Sequence, residues 1–354
     1  CNPDYTDQVY KMQKTFALSL TVNPEKQAAI EIERLLKFPG FLKTDSFAKG
    51  RVEIVELRVD ERSRLCNVAL SELNRVIKCR VLICAVLRRG DVVAPDGSFV
   101  LREGDRIFVT ASTESLATLL DNLGIITKKV NHVMICGGGR VSYYLAQQLE
   151  KDGMTVRLIE MDPKHCEELA ALLPKTEIIN DDASNTFVLK RENIESCDAL
   201  VTATGMDELN MIISLYGTKH GVSQVITKLG HMENGSMIDQ LPIGSTIWPK
   251  DLCCNGIVRY IRAMHNQTGA AVSVHSIADG KAEAIEFHVE EKKPYCDKPL
   301  KNMKVKQNIL VSCITHGGVT ELPGGDSVIR EGDTVVVVTT RNDIIYKLDD
   351  IFEA

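Results

Sequence analysis

The chain has 354 residues, 44% of them hydrophobic and 25% charged, and its 48 acidic and 42 basic side chains leave a formal charge of −6. At about 100 to 200 residues per domain this length calls for two or three globular units, and the apolar content excludes a disordered chain. The acidic balance argues against a nucleic-acid partner, and no apolar run approaches the ~18 residues that a membrane helix needs.

Eleven cysteines, an odd number, include no C-x-x-C pair, and the eight histidines include no H-x-x-x-H pair. Free thiols in a reducing, cytosolic compartment are therefore expected, and no metal site. The chain begins at Cys1 rather than Met and carries no signal-peptide pattern. Cys1 is either a lipidated terminus or, as the repeat below favours, a cut edge.

In chain order, residues 18–22 read as a strand. Asn23 and Pro24 suit the cap and first turn of a helix that places Ala28, Ala29, Ile32, Leu35 and Leu36 on one face. Residues 50–123 read as a small β-rich module in which Arg102-Glu103-Gly104-Asp105 makes a turn ahead of the β-branched run 107–110.

A buried-strand pattern at 132–136 then leads into Gly137-Gly138-Gly139-Arg140-Val141-Ser142 and an amphipathic run at 144–149. This is G-x-G-x-x-S between strand and helix, where glycines let the backbone approach a pyrophosphate at a helix N-terminus. The next strand, 155–159, ends in Glu160, placed to accept both ribose hydroxyl protons of an adenosine. An acid there favours NAD or an adenine nucleotide over NADP, and the missing G-x-x-x-x-G-K-[ST] argues against a P-loop NTPase. Further strand ends bring Asp181 and Asp182, then Thr204 and Gly205, to the same edge. The aspartates either bond an adenine edge or cap a helix over 183–190, and the 204–205 backbone lines the ligand. Lys228, ending a strand at 224–227, is either a phosphate contact or a solvated lysine.

Residues 280–354 repeat 50–123. Cys66 and Leu70 match Cys296 and Leu300, and after a two-residue adjustment Arg330-Glu331-Gly332-Asp333 matches the first turn. Upstream, Ile247, Trp248-Pro249, Cys253, Cys254, Ile257 and Ile261 match the helix that begins at Pro24. The expected division is 1–45, the C-terminal remnant of a first nucleotide domain; 46–126, a β-rich module; 127–268, a complete nucleotide domain; and 269–354, a second module. The expected fold class is α/β, with Rossmann-like doubly wound parallel sheets, one complete and one truncated, alternating with small α+β modules.

This order resembles the regulatory subunits of Trk-type potassium uptake, tandem proteins of RCK (or KTN) domains with RCK_C modules. The resemblance rests on residues 137–142, Tyr143-Tyr144-Leu145-Ala146, residues 158–162, 182–184 and 204–210, both Arg-Glu-Gly-Asp turns, and the opening Asn2-Pro3-Asp4-Tyr5. It implies a non-enzymatic gating subunit that senses NAD(H) or ATP/ADP, forms a homodimer or homotetramer, and docks on a membrane-embedded potassium-translocating subunit at the inner face of the membrane. A cyclic dinucleotide at the RCK_C modules follows by family analogy only. Carried over by residue, the phosphate loop is Gly137, Gly138, Gly139, Arg140 and Val141, with Ser142 in the third glycine position. The resemblance further implies Glu160 as the ribose acid, Asp181 and Asp182 as adenine-side contacts, and Thr204 and Gly205 from the next strand. Lys228 stands where the family usually has arginine, and Asp181 where it often has glycine. The rival reading is an NAD-dependent oxidoreductase, which needs a positioned proton donor beside the nicotinamide. His265, His275 and His316 are isolated in the sequence and read as surface or core imidazoles.

Overall fold

The computed structural model describes residues 19–37, 40–48, 50–61, 63–123, 129–230, 238, 241–264, 271–341 and 343–353. Cys1, the opening Asn2–Tyr5, Leu18 and His265 lie outside the described residues. The chain divides into two compact units, residues 1–42 with 127–257, and residues 43–126 with 258–354.

In the first unit, the helix Pro24–Lys37 buries Ala28, Ala29, Ile32, Leu35 and Leu36, the face expected from their spacing. Asn23 caps it, its side-chain oxygen accepting from Lys26 N–H at 3.0 Å. The strand expected just before it is absent, since residues 20–23 have no regular structure. Chain order continues through the second unit's first sheet: β1 (Lys43–Phe47), β2 (Val52–Arg58), β3 (Leu82–Arg88), β4 (Asp91–Val93) and β5 (Arg106–Ser112).

The nucleotide-type fold follows as β6 (His132–Cys136), β7 (Thr155–Glu160), β8 (Glu177–Asn180), β9 (Ala199–Thr202), β10 (Gln224–Lys228) and β11 (Ser245–Ile247). These strands lie in the order β11-β10-β9-β6-β7-β8 and pair in parallel throughout. That is the doubly wound order whose switch point, between β6 and β9, opens a crevice at the strands' carboxyl ends. Each face of the sheet has its own core because side chains alternate along a strand. Val133, Ile135, Val156, Leu158 and Val201 pack against the helices Pro24–Lys37 and Arg140–Lys151. Met134, Cys136, Ile159 and Leu200 pack on the opposite face with Val188, Leu189 and Ile213. The helix Pro24–Lys37 is also tied by polar contacts, with Asn23 Nδ2 donating to the Tyr144 hydroxyl at 3.3 Å and Gln224 Nε2 to the Leu35 carbonyl at 2.7 Å.

The helix Pro249–Met264 was expected to bury Cys253, Cys254, Ile257 and Ile261 as its counterpart buries the matching residues. Cys253 is buried, but Cys254 is exposed and Ile257 and Ile261 are 40% and 49% exposed. Helical spacing fixes which residues share a face, not what covers it.

The second unit holds two five-stranded antiparallel sheets, β1-β2-β5-β3-β4 and, from β12 (Ala271–Ile277), β13 (Ala282–His288), β14 (Ile309–His316), β15 (Val319–Glu321) and β16 (Thr334–Thr339), the same order β12-β13-β16-β14-β15. The sequence repeat is therefore a structural one, with its turns at Gly104 (φ +84°) and Gly332 (φ +86°). Phe47, Ile54, Cys84 and Phe108 of the first sheet share one core with Ile277, Ala284, Cys313 and Val336 of the second. Contacts across this core are reciprocal. Asp45 and His275, equivalent positions of the two copies, meet at 2.8 Å. Lys281 donates to the Gly90 carbonyl, while a side chain added at Gly318, the counterpart of Gly90, would meet the Arg51 guanidinium at 3.4 Å. Self-complementary contact of this kind is the signature of a two-fold arrangement.

Candidate functional site at the carboxyl edge of the parallel sheet

The glycine loop leaves β6 at the switch point. Gly137 has φ +99°, and a side chain there would come within 2.8 Å of the Thr204 backbone, so both conformation and space demand glycine. A side chain on Gly138 would meet Glu160 Oε2 and Leu169 at 2.8 Å. At Gly139 it would find only Ala203 O at 4.0 Å, and at Gly205 nothing within 4 Å, so the crevice is open above both.

The helix Arg140–Lys151 begins directly after Gly139, which caps it without a side chain. Tyr143 N–H donates to Gly139 O at 3.0 Å as the first turn closes, which leaves the N–H groups of residues 140–142 ahead of the intrahelical ladder. With the helix dipole, N–H groups so placed can receive an anion. Arg140 is largely exposed and lies 3.7 Å from Glu25. Val141 and Ser142 are buried beneath the loop, so Ser142 fills the third-glycine position by packing, and its hydroxyl has no partner.

Glu160 is oriented by two backbone donors. Gly138 N–H donates to Oε2 at 2.7 Å and Asp162 N–H to Oε1 at 2.9 Å. A carboxylate has about four lone-pair sites. Each oxygen therefore keeps one for a vicinal diol, and the carboxylate is held in place beforehand.

The other sequence-derived residues divide. Asp182 accepts from Ser184 N–H at 2.8 Å in a turn, while the helix cap falls on Asn185, whose side chain accepts from Phe187 N–H at 3.0 Å. The helix is thus Thr186–Arg191, three residues later at its start than the expected 183–190. Asp181 bonds Asp182 N–H at 2.8 Å and Arg191 at 2.9 Å, and these two contacts hold its carboxyl below the usual range. Lys228 is half-buried rather than solvated. Its ammonium donates to the Thr204 carbonyl at 2.7 Å, and burial pulls it below the ordinary lysine range against the opposing influence of Asp207 and Glu25.

Two contributors were not among the sequence-derived site residues. Asn210, fully buried, accepts from Thr204 N–H at 2.9 Å and donates to the Lys228 carbonyl at 2.9 Å, locking the β9 and β10 ends together. Its sequence signal was its place at the end of the 204–210 stretch that carries the resemblance. His165 sits 2.9 Å from the Gly138 carbonyl, from a helix Pro163–Leu172 capped by Asp162. Among the described residues no group of His, Cys, Asp and Glu could hold a metal ion, and no helix is long and apolar enough to cross a membrane.

Residues 133–249 match the TrkA-N domain model, and residues 54–124 and 284–352 each match the TrkA-C domain model. The chain is 27% identical over 337 residues to Trk system potassium uptake protein TrkA homolog 1 of Methanosarcina mazei, covering 95% of this chain and 74% of that one. It is 28% identical to the TrkA homolog of Archaeoglobus fulgidus, covering 99% and 78%, and 27% identical to TrkA of Haemophilus influenzae, covering 94% and 72%. In solved structures the fold is similar to the GsuK RCK domain, with a TM-score of 0.53 at 14% identity over 95% of this chain and 70% of that one. It is similarly close to the GsuK channel bound to NAD, with a TM-score of 0.52 at 14% identity over 96% and 59%. With one TrkA-N domain and two TrkA-C domains arranged as a repeat, this chain belongs to the TrkA-type RCK proteins.

Proposed function

We propose that the protein is a regulatory subunit of potassium uptake which binds NAD(H) or an adenine nucleotide, ATP or ADP, at the crevice between β6 and β9. The observation that carries this reading is Glu160, oriented by Gly138 and Asp162 N–H groups with one lone-pair site free on each oxygen. Its neighbours supply the rest: helix N-terminal N–H groups for the phosphates, the open backbone at Gly139 and Gly205, and the 181–182 turn beside the adenine. Relatives named as potassium uptake proteins supply the physiological setting, and the NAD-bound GsuK channel belongs to the same fold. The protein acts as a homodimer or homotetramer on a membrane-embedded potassium-translocating subunit, with the domain division 1–45, 46–126, 127–268 and 269–354.

The ligand acts by differential affinity for two arrangements of the nucleotide domains, which passes a rigid-body change to the membrane partner. Lys228 at the end of β10 and Arg140 at the start of the helix bring cations to the crevice, so phosphate charge is what distinguishes one nucleotide from another. Calorimetric titration with NADH, ATP and ADP tests the site. Glu160→Ala is expected to weaken whichever nucleotide binds by about tenfold or more, as loss of two charge-assisted hydrogen bonds implies. Equal affinity in parent and variant for all three rejects the assignment.

A further inference from the structure

We infer that His165 is a positioning residue of this crevice: as an imidazolium it holds the Gly138–Gly139 peptide so that the Gly139 N–H faces the ligand's diphosphate, and nucleotide affinity follows its protonation. The inference rests on the nucleotide reading above and adds a residue and a pH dependence to it.

The geometry is specific. His165 Nε2 lies 2.9 Å from the Gly138 carbonyl oxygen, which can only accept, so Nε2 carries a proton. Nδ1 lies 3.2 Å from Glu168 Oε2, another acceptor. A neutral ring can satisfy one of these partners; only the doubly protonated ring satisfies both. In a trans peptide the C=O and the following N–H point in opposite directions. Turning the Gly138 carbonyl toward His165 therefore turns the Gly139 N–H, the last before the helix Arg140–Lys151, to the opposite side. The Gly138 residue is fixed from both sides, its own N–H by Glu160 at 2.7 Å and its carbonyl by His165.

The charged groups around the ring favour the cation. Glu168 faces it from its own helix, Glu160 from the end of β7, and the Asp162 cap lies at the helix start. The glycine loop presents only backbone. Partial burial pulls the imidazole down, yet the Gly138 carbonyl, Glu168 and the Glu160 charge outweigh it and leave it raised above its ordinary value. The sign for binding follows. A ligand that adds negative charge above the loop favours the cation, so affinity is full below the imidazole's pKa, declines as pH rises through it, and levels off above.

The test is a titration with NAD+, whose diphosphate does not itself ionise here, from about pH 5.5 to about pH 8.5, the range in which a histidine titrates. Wild type is expected to bind about threefold to tenfold more tightly at the acid end, the size of effect a cation near a helix-terminal anion site produces. His165→Ala is expected to bind at or below the alkaline plateau at every pH. His165→Gln keeps an N–H for the Gly138 carbonyl without a titrating group, and is expected to recover part of the affinity with a flat profile. Glu168→Gln should move the wild-type inflection to lower pH. If wild type binds NAD+ and His165→Ala shows the same affinity and the same profile, the role of His165 is overturned and the site stands. If wild type binds no NAD+, ATP or ADP at any pH, the nucleotide reading falls and this inference with it.

Discussion

The two TrkA-C modules share strand order, turn and bulge, yet they solve one local problem with different chemistry. In both, the aspartate of the Arg-Glu-Gly-Asp turn is buried, 1% exposed at Asp105 and 3% at Asp333, and accepts from the N–H of the turn's own arginine, Arg102 or Arg330. The remaining acceptor sites are filled from the end of the neighbouring strand. In the first module Arg88 supplies a bidentate guanidinium with both bonds at 2.7 Å. At the equivalent position of the second module, His316 supplies one ring nitrogen at 2.8 Å. A second substitution is more nearly neutral: at the bulge, Cys84 Sγ donates to the Phe108 carbonyl at 3.1 Å, and Ser312 Oγ donates to the matching Val336 carbonyl at 3.2 Å. Topology is thus preserved by backbone geometry and apolar alternation, while each polar position need only be satisfied.

The largest expected effect probes the shared core between the modules. Phe47 is buried in that core and packs against the His275 ring, with centroids 4.5 Å apart. Phe47→Ala is expected to cost about 4 kcal/mol and Ile277→Ala, its counterpart, about 3 kcal/mol. Urea unfolding of the full chain measures both; a loss under about 1 kcal/mol for either shows that the sheets do not share a core. Next come the turn carboxylates. Asp105→Ala should cost about 3 kcal/mol and Asp333→Ala about 2 kcal/mol, because the first removes a bidentate pair with a guanidinium and the second a single ring-nitrogen contact. Equal losses at neutral pH break that distinction. The smallest effect belongs to the bulge, where Cys84→Ser, copying the second module, should change stability by less than about 1 kcal/mol. Burial pushes the Cys84 and Cys313 thiols up to about 12, so thiolate is scarce at neutral pH in both. A thiol reagent should reach them only on unfolding, and rapid native labelling at either position contradicts their burial.

Much of the candidate site was legible because its demands are local. Gly137 is required by a positive φ and a backbone 2.8 Å away, and Glu160 ends the strand next to the loop, so both leave a signature within about 25 residues of chain. Lys228 and Asp181 show the limit of such reading. Residue type and strand end put them at the carboxyl ends of β8 and β10, yet their partners, the Thr204 carbonyl and Arg191, decide where the charges point. His165 lies on a helix at a spacing that carries no motif, and for it and Asn210 only the fold shows which loop atoms their polar groups meet.

The sequence by itself determined the strand and helix pattern, the glycine bend, the acid beyond it and the duplicated β-rich module. Each is written in periodicity, backbone permissiveness or self-similarity along the chain. The tertiary structure alone decided that the two modules close on each other through equivalent positions, that Pro24–Lys37 covers the parallel sheet while Ile257 and Ile261 remain exposed on its counterpart, and that Glu160 meets the second glycine's N–H and His165 its carbonyl. The reason is physical: a side chain's own preferences act over a few neighbouring residues, whereas burial and hydrogen-bond partners are set by whichever distant segments the fold places within about 3 Å.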